Sequence, residues 1–389
     1  MAKAIVLFYC SPKFGSEYRF GWEYLRFAVE NLDYDTVIIS DIRKNIKPDE
    51  IHEIYPSLKC ILIRSIVKSD RLLRKFTDFI PQVEWHSRTM RHLLSRELTF
   101  CTIWVATGAQ PWLPVKHYIR MADGFVWGPI GGGEPINHTL SVTSLSYFKV
   151  RELVRNMIVR ITTNAKRKTL LAGASDAGKD IFVLARTTHS HKLFQDLSSK
   201  IKVEIFPEIL TISKKDIIDK NAKQNRVPYL WVGQDIARKN LSLGIKIYRE
   251  VSRRFAKIQQ LEIYGVGGDA DTCNGRDLKY HGWVGAVPWA RYRGAGIFVL
   301  SSSREGVPSA LLEAFQAGCF CIVPDVGAIS RIFDGNDRVF IYNHQEIVDN
   351  KDIFDQMAAA INSYLALSSV HVPHISFEKS LYEFLKNGG

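Results

Sequence analysis

The stretch Ile297 to Gly327, IFVLSSSREGVPSALLEAFQAGCFCIVPDVG, constrains the fold more than any other part of the chain. It opens with an apolar run, Ile297 to Leu300, too short for a helix, which meets the polar cluster Ser301 to Gly306. This pattern predicts a buried strand ending in a loop. Pro308 has its φ fixed near the helical value, and Ser309 to Ala317 are good helix formers stopped by Gly318. A second apolar strand follows at Cys319 to Val323. Such a strand, loop, helix and strand unit belongs to a parallel sheet, with the loop at the carboxyl edge where open α/β sheets bind ligands. Glu305 lies in that loop, and Glu313 lies one turn into the helix, four residues after Ser309 and on the same face. Two carboxylates beside the free N–H groups of a helix start suit a ligand that carries both hydroxyls and phosphate.

The same alternation runs through the rest of the chain. Strand-like runs are predicted at Ala4 to Tyr9, Thr36 to Ser40, Cys60 to Ile63, Thr102 to Ala106, Phe125 to Trp127 and Lys202 to Pro207. A second series follows at Pro228 to Gly233, Leu261 to Tyr264, Leu278 to His281 and Arg338 to Tyr342. A polar stretch, Ser213 to Val227, reads as the linker between the two series. With 389 residues, the chain is too long for one ordinary core and suits two. No apolar run approaches the length of a membrane-spanning helix. The six cysteines lack the paired spacing of a zinc site and read as buried thiols of a reducing compartment.

Five glycine-bearing loops stand out. Gly15-Ser16-Glu17 and Gly21-Trp22 follow the first strand, and Trp127-Gly128-Pro129-Ile130-Gly131-Gly132-Gly133-Glu134 ends another, with backbone N–H groups that can form an anion-binding concavity. In the second half, Gly233 to Lys239 follows a strand and precedes a helix, and Gly265-Val266-Gly267 and Gly282-Trp283-Val284 follow two more. Together with Ser-Ser-x-x-Glu-Gly-x-Pro at 301 to 308 and Asp325-Val326-Gly327, these motifs closely resemble retaining glycosyltransferases of family 4, in the subset with GSE…GW and WGPIGGGE loops.

The resemblance implies an α/β chain of the GT-B class, two doubly wound parallel-sheet (Rossmann-like) domains facing across a cleft. Residues 1–207 would be the acceptor-side domain, 208–372 the nucleotide-sugar domain, and 373–389 a helix returning to the first. The implied reaction moves a sugar from a nucleoside-diphosphate sugar to a glycan or lipid-linked glycan, with retention and without metal or other cofactor. By this resemblance Lys239 binds the donor diphosphate, Glu305 faces the transferred sugar, and Glu313 accepts hydrogen bonds from the ribose. Arginine usually stands where this chain has Gln234, so Arg238 is the candidate second cation. Further donor contacts are implied for Gly15, Ser16, Gly131, Gly132, Gly133, Glu134, Gly233, Gly267, Gly306, Val307, Pro308 and Ser309. Trp283 and Val284 are candidates to hold the base, with simple packing of Trp283 an equal reading. His86 and His138 receive no catalytic role.

Two further patterns carry no such chemistry. Gly173 to Lys179 fits G-x4-G-K, but Asp180 replaces the Ser or Thr that would bind Mg²⁺ and a strand is predicted next. Asp269-Ala270-Asp271 fits a D-x-D metal motif, yet lies outside the reactive stretch. The net charge is +12, nearly all of it in the first 200 residues. Such a surface suits an anionic membrane or phosphorylated substrate as well as nucleic acid. Arg64 to Ile80 would place Lys68, Arg71 and Lys75 beside Leu72 and Phe76, a helix able to rest on an anionic membrane without crossing it. The expectation is a cytoplasmic enzyme with peripheral contact at the inner face of the membrane and no nucleic-acid partner. Two alternatives stand beside it, a nucleotide-sugar-binding relative impaired by Gln234 and a basic nucleic-acid- or membrane-binding protein.

Overall fold

The computed structural model describes residues 2–13, 16–65, 79–107, 113, 115–131, 146–176, 179–206, 211–212, 216–219, 227–236, 238–255, 260–265, 277–284, 287–350, 352–372 and 375–387. These fall into two compact units. The first comprises Met1–Glu134, Val154–Leu210 and Phe377–Gly389, the second Pro135–Leu153 and Thr211–Ser376. The basic stretch read as a membrane-facing helix lies largely outside the described residues, which resume at Phe79.

The first unit is built on β1 (Lys3–Leu7), β2 (Thr36–Ser40), β3 (Lys59–Ile63), β4 (Phe100–Thr107), β5 (Ala122–Ile130), β6 (Ile181–Ala185) and β7 (Ile201–Ile205). Their order across the sheet is β3-β2-β1-β4-β5-β6-β7, all pairs parallel. Helices cover both faces of such a sheet, so its central strands are apolar on both sides rather than alternating. All five residues of β2 are buried, as are four of the five in β1. Trp85, Trp104 and Trp127 are fully enclosed, and two of them satisfy their indole N–H on backbone, Trp85 on the Ile63 carbonyl and Trp104 on the Gly128 carbonyl, each at 3.0 Å. His86 sits in the same core, its Nδ1 3.0 Å from the Tyr118 hydroxyl, and burial pushes its pKa down to about 3. It is a neutral core histidine at physiological pH.

Gly21 has a packing reason. The helix Ser16–Leu32 lies so close to the end of β1 that a Cβ at this position would stand 1.8 Å from the Tyr9 carbonyl oxygen. The last helix, Glu378–Asn387, packs within the same unit. Glu378 pairs with Arg26 of the helix Ser16–Leu32, and Phe384 meets Phe182 and Phe206 edge-on or tilted, with ring centres 5.5 and 5.6 Å away. The G-x4-G-K segment shows no phosphate-loop geometry among its described residues. Lys179 donates to the Ile119 carbonyl at 2.8 Å, fastening the end of the helix Lys116–Met121, and β6 follows where a phosphate loop requires a helix.

The second unit contains the short strands β8 (Thr211–Ile212) and β9 (Asp216–Asp219), then β10 (Tyr229–Val232), β11 (Leu261–Tyr264), β12 (Leu278–Gly282), β13 (Ile297–Val299), β14 (Phe320–Pro324) and β15 (Val339–Tyr342). Its main sheet is parallel in the order β12-β11-β10-β13-β14-β15. Two strands near the end of the chain, β16 (Ser369–Val372) and β17 (Ile375–Ser376), pair antiparallel with β9 and β8. This corrects the reading of Ser213 to Val227 as linker throughout. The Asp residues that bound β9 hid its two isoleucines, while Val370 and Val372 opposite are 1% exposed and join the second core. Trp231, Ile263, Val299, Ile322 and Ile361 belong to that core as well.

Candidate active site

In the main sheet of the second unit β10 lies beside β13, although 64 residues lie between Val232 and Ile297. The connections from these two strands then lead to opposite sides of the sheet, to β11 and to β14. This is a topological switch point, where the loops leaving two neighbouring strands diverge and open a crevice at their carboxyl ends. The loops concerned are Gly233 to Asn240 and Leu300 to Pro308.

A set of hydrogen bonds ties the first loop to the second. The Ser303 N–H donates to the Arg238 carbonyl at 2.8 Å, and Arg238 Nη1 donates to the Arg304 carbonyl at 3.0 Å. Ser301 Oγ accepts from Trp231 Nε1 at 3.0 Å and donates to the Asn240 carbonyl at 2.8 Å. Asn240 itself takes a left-handed conformation, φ 51°, one that asparagine tolerates better than most residues, and the helix Leu241–Ser252 begins after it. The serines of the Ser-Ser-Ser cluster therefore fix the two loops against each other.

The reward of this arrangement is a charge cluster. Glu305 Oε1 lies 2.6 Å from Lys239 Nζ and 3.0 Å from Arg238 Nη1. The carboxylate side chain is only 9% exposed. Burial disfavours its ionisation, but the Lys239 ammonium and the Arg238 guanidinium outweigh that, and its pKa is held below the ordinary glutamate value. Two cations and one carboxylate leave a net positive charge at the carboxyl edge of the sheet. Gln234 is exposed, so the second cation beside Lys239 is Arg238.

The helix Ser309–Gln316 starts just beyond, with Pro308 as its cap residue, one position before the first helical turn. Glu313 accepts from Trp289 Nε1 at 2.9 Å, an indole on the short 3-10 turn Trp289–Tyr292. Val307 is 1% exposed and packs beneath the loop. At the neighbouring strand ends, Gly233 N–H donates to the Tyr264 carbonyl at 2.9 Å and Gly265 N–H to the Gly282 carbonyl at 2.8 Å. A Cβ on Gly265 would fall 1.5 Å from the Gly233 carbonyl oxygen, so only glycine permits these turns to stack. Trp283 is 73% exposed, which decides against its being a packing residue. Val284 follows it half-buried.

Beneath these turns lies a group that the sequence reading missed. Glu262, in the middle of β11, accepts from the Tyr292 hydroxyl at 2.9 Å, and its Oε2 is 2.8 Å from His281 Nε2. Arg291 Nη2 lies 3.2 Å from its other oxygen, and the Tyr264 ring stacks on His281 with centres 4.3 Å apart. Burial opposes its charge, yet the Tyr292, His281 and Arg291 contacts keep its pKa below the ordinary value. A glutamate within the apolar run LEIY was the available signal, because a carboxylate is buried in a sheet only when partners are provided. In the first unit, Ser16 begins its helix and Gly131 packs against Arg186, whose Cδ would stand 2.9 Å from a Cβ at 131. Arg186 was not foreseen. Gly15, Gly132, Gly133, Glu134, Gly267, Asp269 and Asp271 lie outside the described residues.

Residues 228–366 match the family described as Glycosyl transferases group 1. No curated protein matches the chain. Among solved structures, WaaG, a glycosyltransferase involved in lipopolysaccharide biosynthesis, is similar with a TM-score of 0.55 and 14% identity over 99% of this chain and 100% of that one. The lipopolysaccharide outer core galactosyltransferase WaaB gives 0.54 and 14%, covering 100% of both chains. Sucrose-phosphate synthase from Thermosynechococcus elongatus gives 0.51 and 12%, again covering 100% of both. The chain thus has the GT-B architecture of two parallel-sheet α/β domains, and the match to the Glycosyl transferases group 1 family lies within its second unit.

Proposed function

We propose that this protein transfers a sugar from a nucleoside-diphosphate sugar to a glycan or lipid-linked glycan, with retention of anomeric configuration and without a metal ion. The observation that carries the reading is the convergence of Lys239, Arg238 and Glu305 at the switch point of the domain that matches group 1 glycosyl transferases. Departure of a nucleoside diphosphate builds negative charge on the leaving phosphate. Lys239 and Arg238 supply pre-organised positive charge for it, and Glu305 holds both in place before substrate arrives. The same carboxylate offers negative charge to a sugar carbon that becomes cationic. The acceptor class rests on the family resemblance and on the basic first half of the chain. Among the described residues no helix is long and apolar enough to cross a membrane.

The test is incubation with a panel of nucleotide sugars, with and without a chelator, reading nucleoside diphosphate release and the anomeric configuration of the product by NMR. Release that survives chelation, with a retained anomer, supports the reading. Inversion or loss of release on chelation would refute the corresponding part. A second reading, binding without transfer, is favoured by the exposed Gln234 at a position where the resemblance implies arginine. Saturable nucleotide-sugar binding with no turnover on any acceptor would select it.

Glu313 and Trp289 provide a separate check. The Trp289 indole fixes Glu313 Oε2, so the carboxylate is oriented before a ribose reaches it. A ribose contact is made in ground and transition states alike. Glu313→Gln is therefore expected to raise the Michaelis constant for the donor about tenfold while turnover stays within a few-fold. A fall in turnover at unchanged Michaelis constant would place Glu313 in the chemistry instead.

A further inference from the structure

The first unit holds a recess of about 170 Å³ at the carboxyl ends of β1 and β2, and its rim is formed by Ser11, Lys13, Arg43, Lys44, Lys47 and Glu50. Four of these six side chains are cationic and one is anionic. Glu50 is engaged on its own side of the rim. Its Oε1 is 2.6 Å from Lys13 Nζ, and its Oε2 accepts from the Lys47 backbone N–H at 2.9 Å. Beyond the Lys13–Glu50 pair, the recess is bordered by Arg43 and Lys47, exposed cations on one short loop.

Exposed lysines are ordinarily just solvated, but this loop is anchored from below. Asn45 is 5% exposed. Its Oδ1 accepts from the Cys10 N–H at 2.9 Å, and its Nδ2 donates to the Phe8 carbonyl at 3.0 Å and the Ser40 carbonyl at 2.9 Å. The Ile46 N–H adds a bond to the Cys10 carbonyl at 2.8 Å. A buried amide with its groups satisfied pins the loop to two strand ends, so residues 43 to 47 present their backbone in one conformation. Cations gathered on a fixed loop around a recess at a sheet's carboxyl edge suit an anion with several acceptor oxygens, and a phosphoryl group has that form.

We propose that this recess binds a phosphoryl group carried by the acceptor. The word acceptor rests on the reading of the chain as a glycosyltransferase; the phosphoryl site rests on the recess alone. The phosphoryl group can be borne by a lipid or by a water-soluble glycan, and the test separates these sources. Inorganic phosphate is titrated into the full chain by calorimetry, for wild type, for Arg43→Ala/Lys47→Ala, and for Arg43→Lys/Lys47→Arg. The alanine pair is expected to weaken phosphate binding about tenfold or more, and the charge-preserving pair to hold it within a few-fold. In parallel, each protein is sedimented with vesicles of phosphatidylglycerol and phosphatidylcholine, and of phosphatidylcholine alone. Charge-dependent sedimentation lost in the alanine pair identifies a lipid-borne phosphate, whereas phosphate binding without sedimentation identifies a soluble one. Absence of both kinds of binding in wild type, or equal binding by the folded alanine pair, overturns the proposal. Donor cleavage by the same wild-type preparation keeps the two ideas apart. Phosphate bound at this rim without donor cleavage would fell the glycosyltransferase reading alone, and cleavage without phosphate binding would fell this site alone.

Discussion

Replacing Lys239 by alanine is expected to lower turnover roughly a hundredfold or more, the scale on which enzymes lose rate when one pre-organised stabilising charge or donor is removed. Lys239 Nζ is fixed 2.6 Å from Glu305 Oε1, and its backbone N–H is tied to the Ile236 carbonyl at 2.8 Å. The cation is thus held in place before reaction, and stabilisation of this kind requires no reorganisation when charge develops. The side chain is 17% exposed and bears no core load, so the variant should fold. Steady-state kinetics on the donor that the panel identifies makes the check, and turnover within a few-fold of wild type would remove Lys239 from the chemistry. Lys239→Arg keeps the charge but changes its shape, and is expected to recover only part of the loss.

The second large effect belongs to Glu305. Glu305→Gln keeps the shape of the side chain but removes the charge that holds Lys239 and Arg238 together. Turnover is expected to drop about tenfold or more. Stability at neutral pH should also fall, by about 1–3 kcal/mol, less than the ~3–5 kcal/mol seen when a fully enclosed pair is broken. The discount follows from Arg238, which is 31% exposed and can be rehydrated. The pH dependence has a definite sign. Because the folded-state pKa of Glu305 lies below the ordinary value of 4.5, its contribution is fully present above that value and disappears as pH falls through the lower, folded-state value. The stability difference between wild type and Glu305→Gln, measured by urea unfolding, should therefore be largest near neutrality and shrink on acidification below about 4.5. A difference that is constant with pH would mean that the ion pairs contribute nothing to stability.

The strands were legible because a parallel sheet covered on both faces demands short continuous apolar runs, and β2 and β11 have the bounds that their sequences predicted. Others run longer than predicted: β4 adds Phe100, Cys101 and the buried Thr107 to Thr102–Ala106, and β5 adds three residues at each end of Phe125–Trp127. Glu305, Lys239 and Arg238 could be named from motifs, but their meeting on one oxygen could not. It depends on β10 lying next to β13, and local sequence pattern does not encode the order of strands in a sheet. Glu262 illustrates a different limit. Its charge looks out of place in β11 until Tyr292, His281 and Arg291, brought from β12 and the turn beyond it, are seen around it. The pairing of Trp289 with Glu313 was hidden for the same reason, since an indole 24 residues away has no periodic relation to the helix it meets.

The central claim is that the second unit binds a nucleoside diphosphate through Lys239, Arg238 and Glu305, and thermal unfolding in the presence of UDP, GDP, ADP and their sugar conjugates tests it most directly. A ligand at a hundred times its dissociation constant stabilises the folded state by about 2.7 kcal/mol, enough to raise the midpoint by several degrees. The account predicts such a rise for one nucleotide class with wild type and a much smaller one with Lys239→Ala at the same concentration. No rise with any nucleotide, or an equal rise in the two proteins, would contradict it.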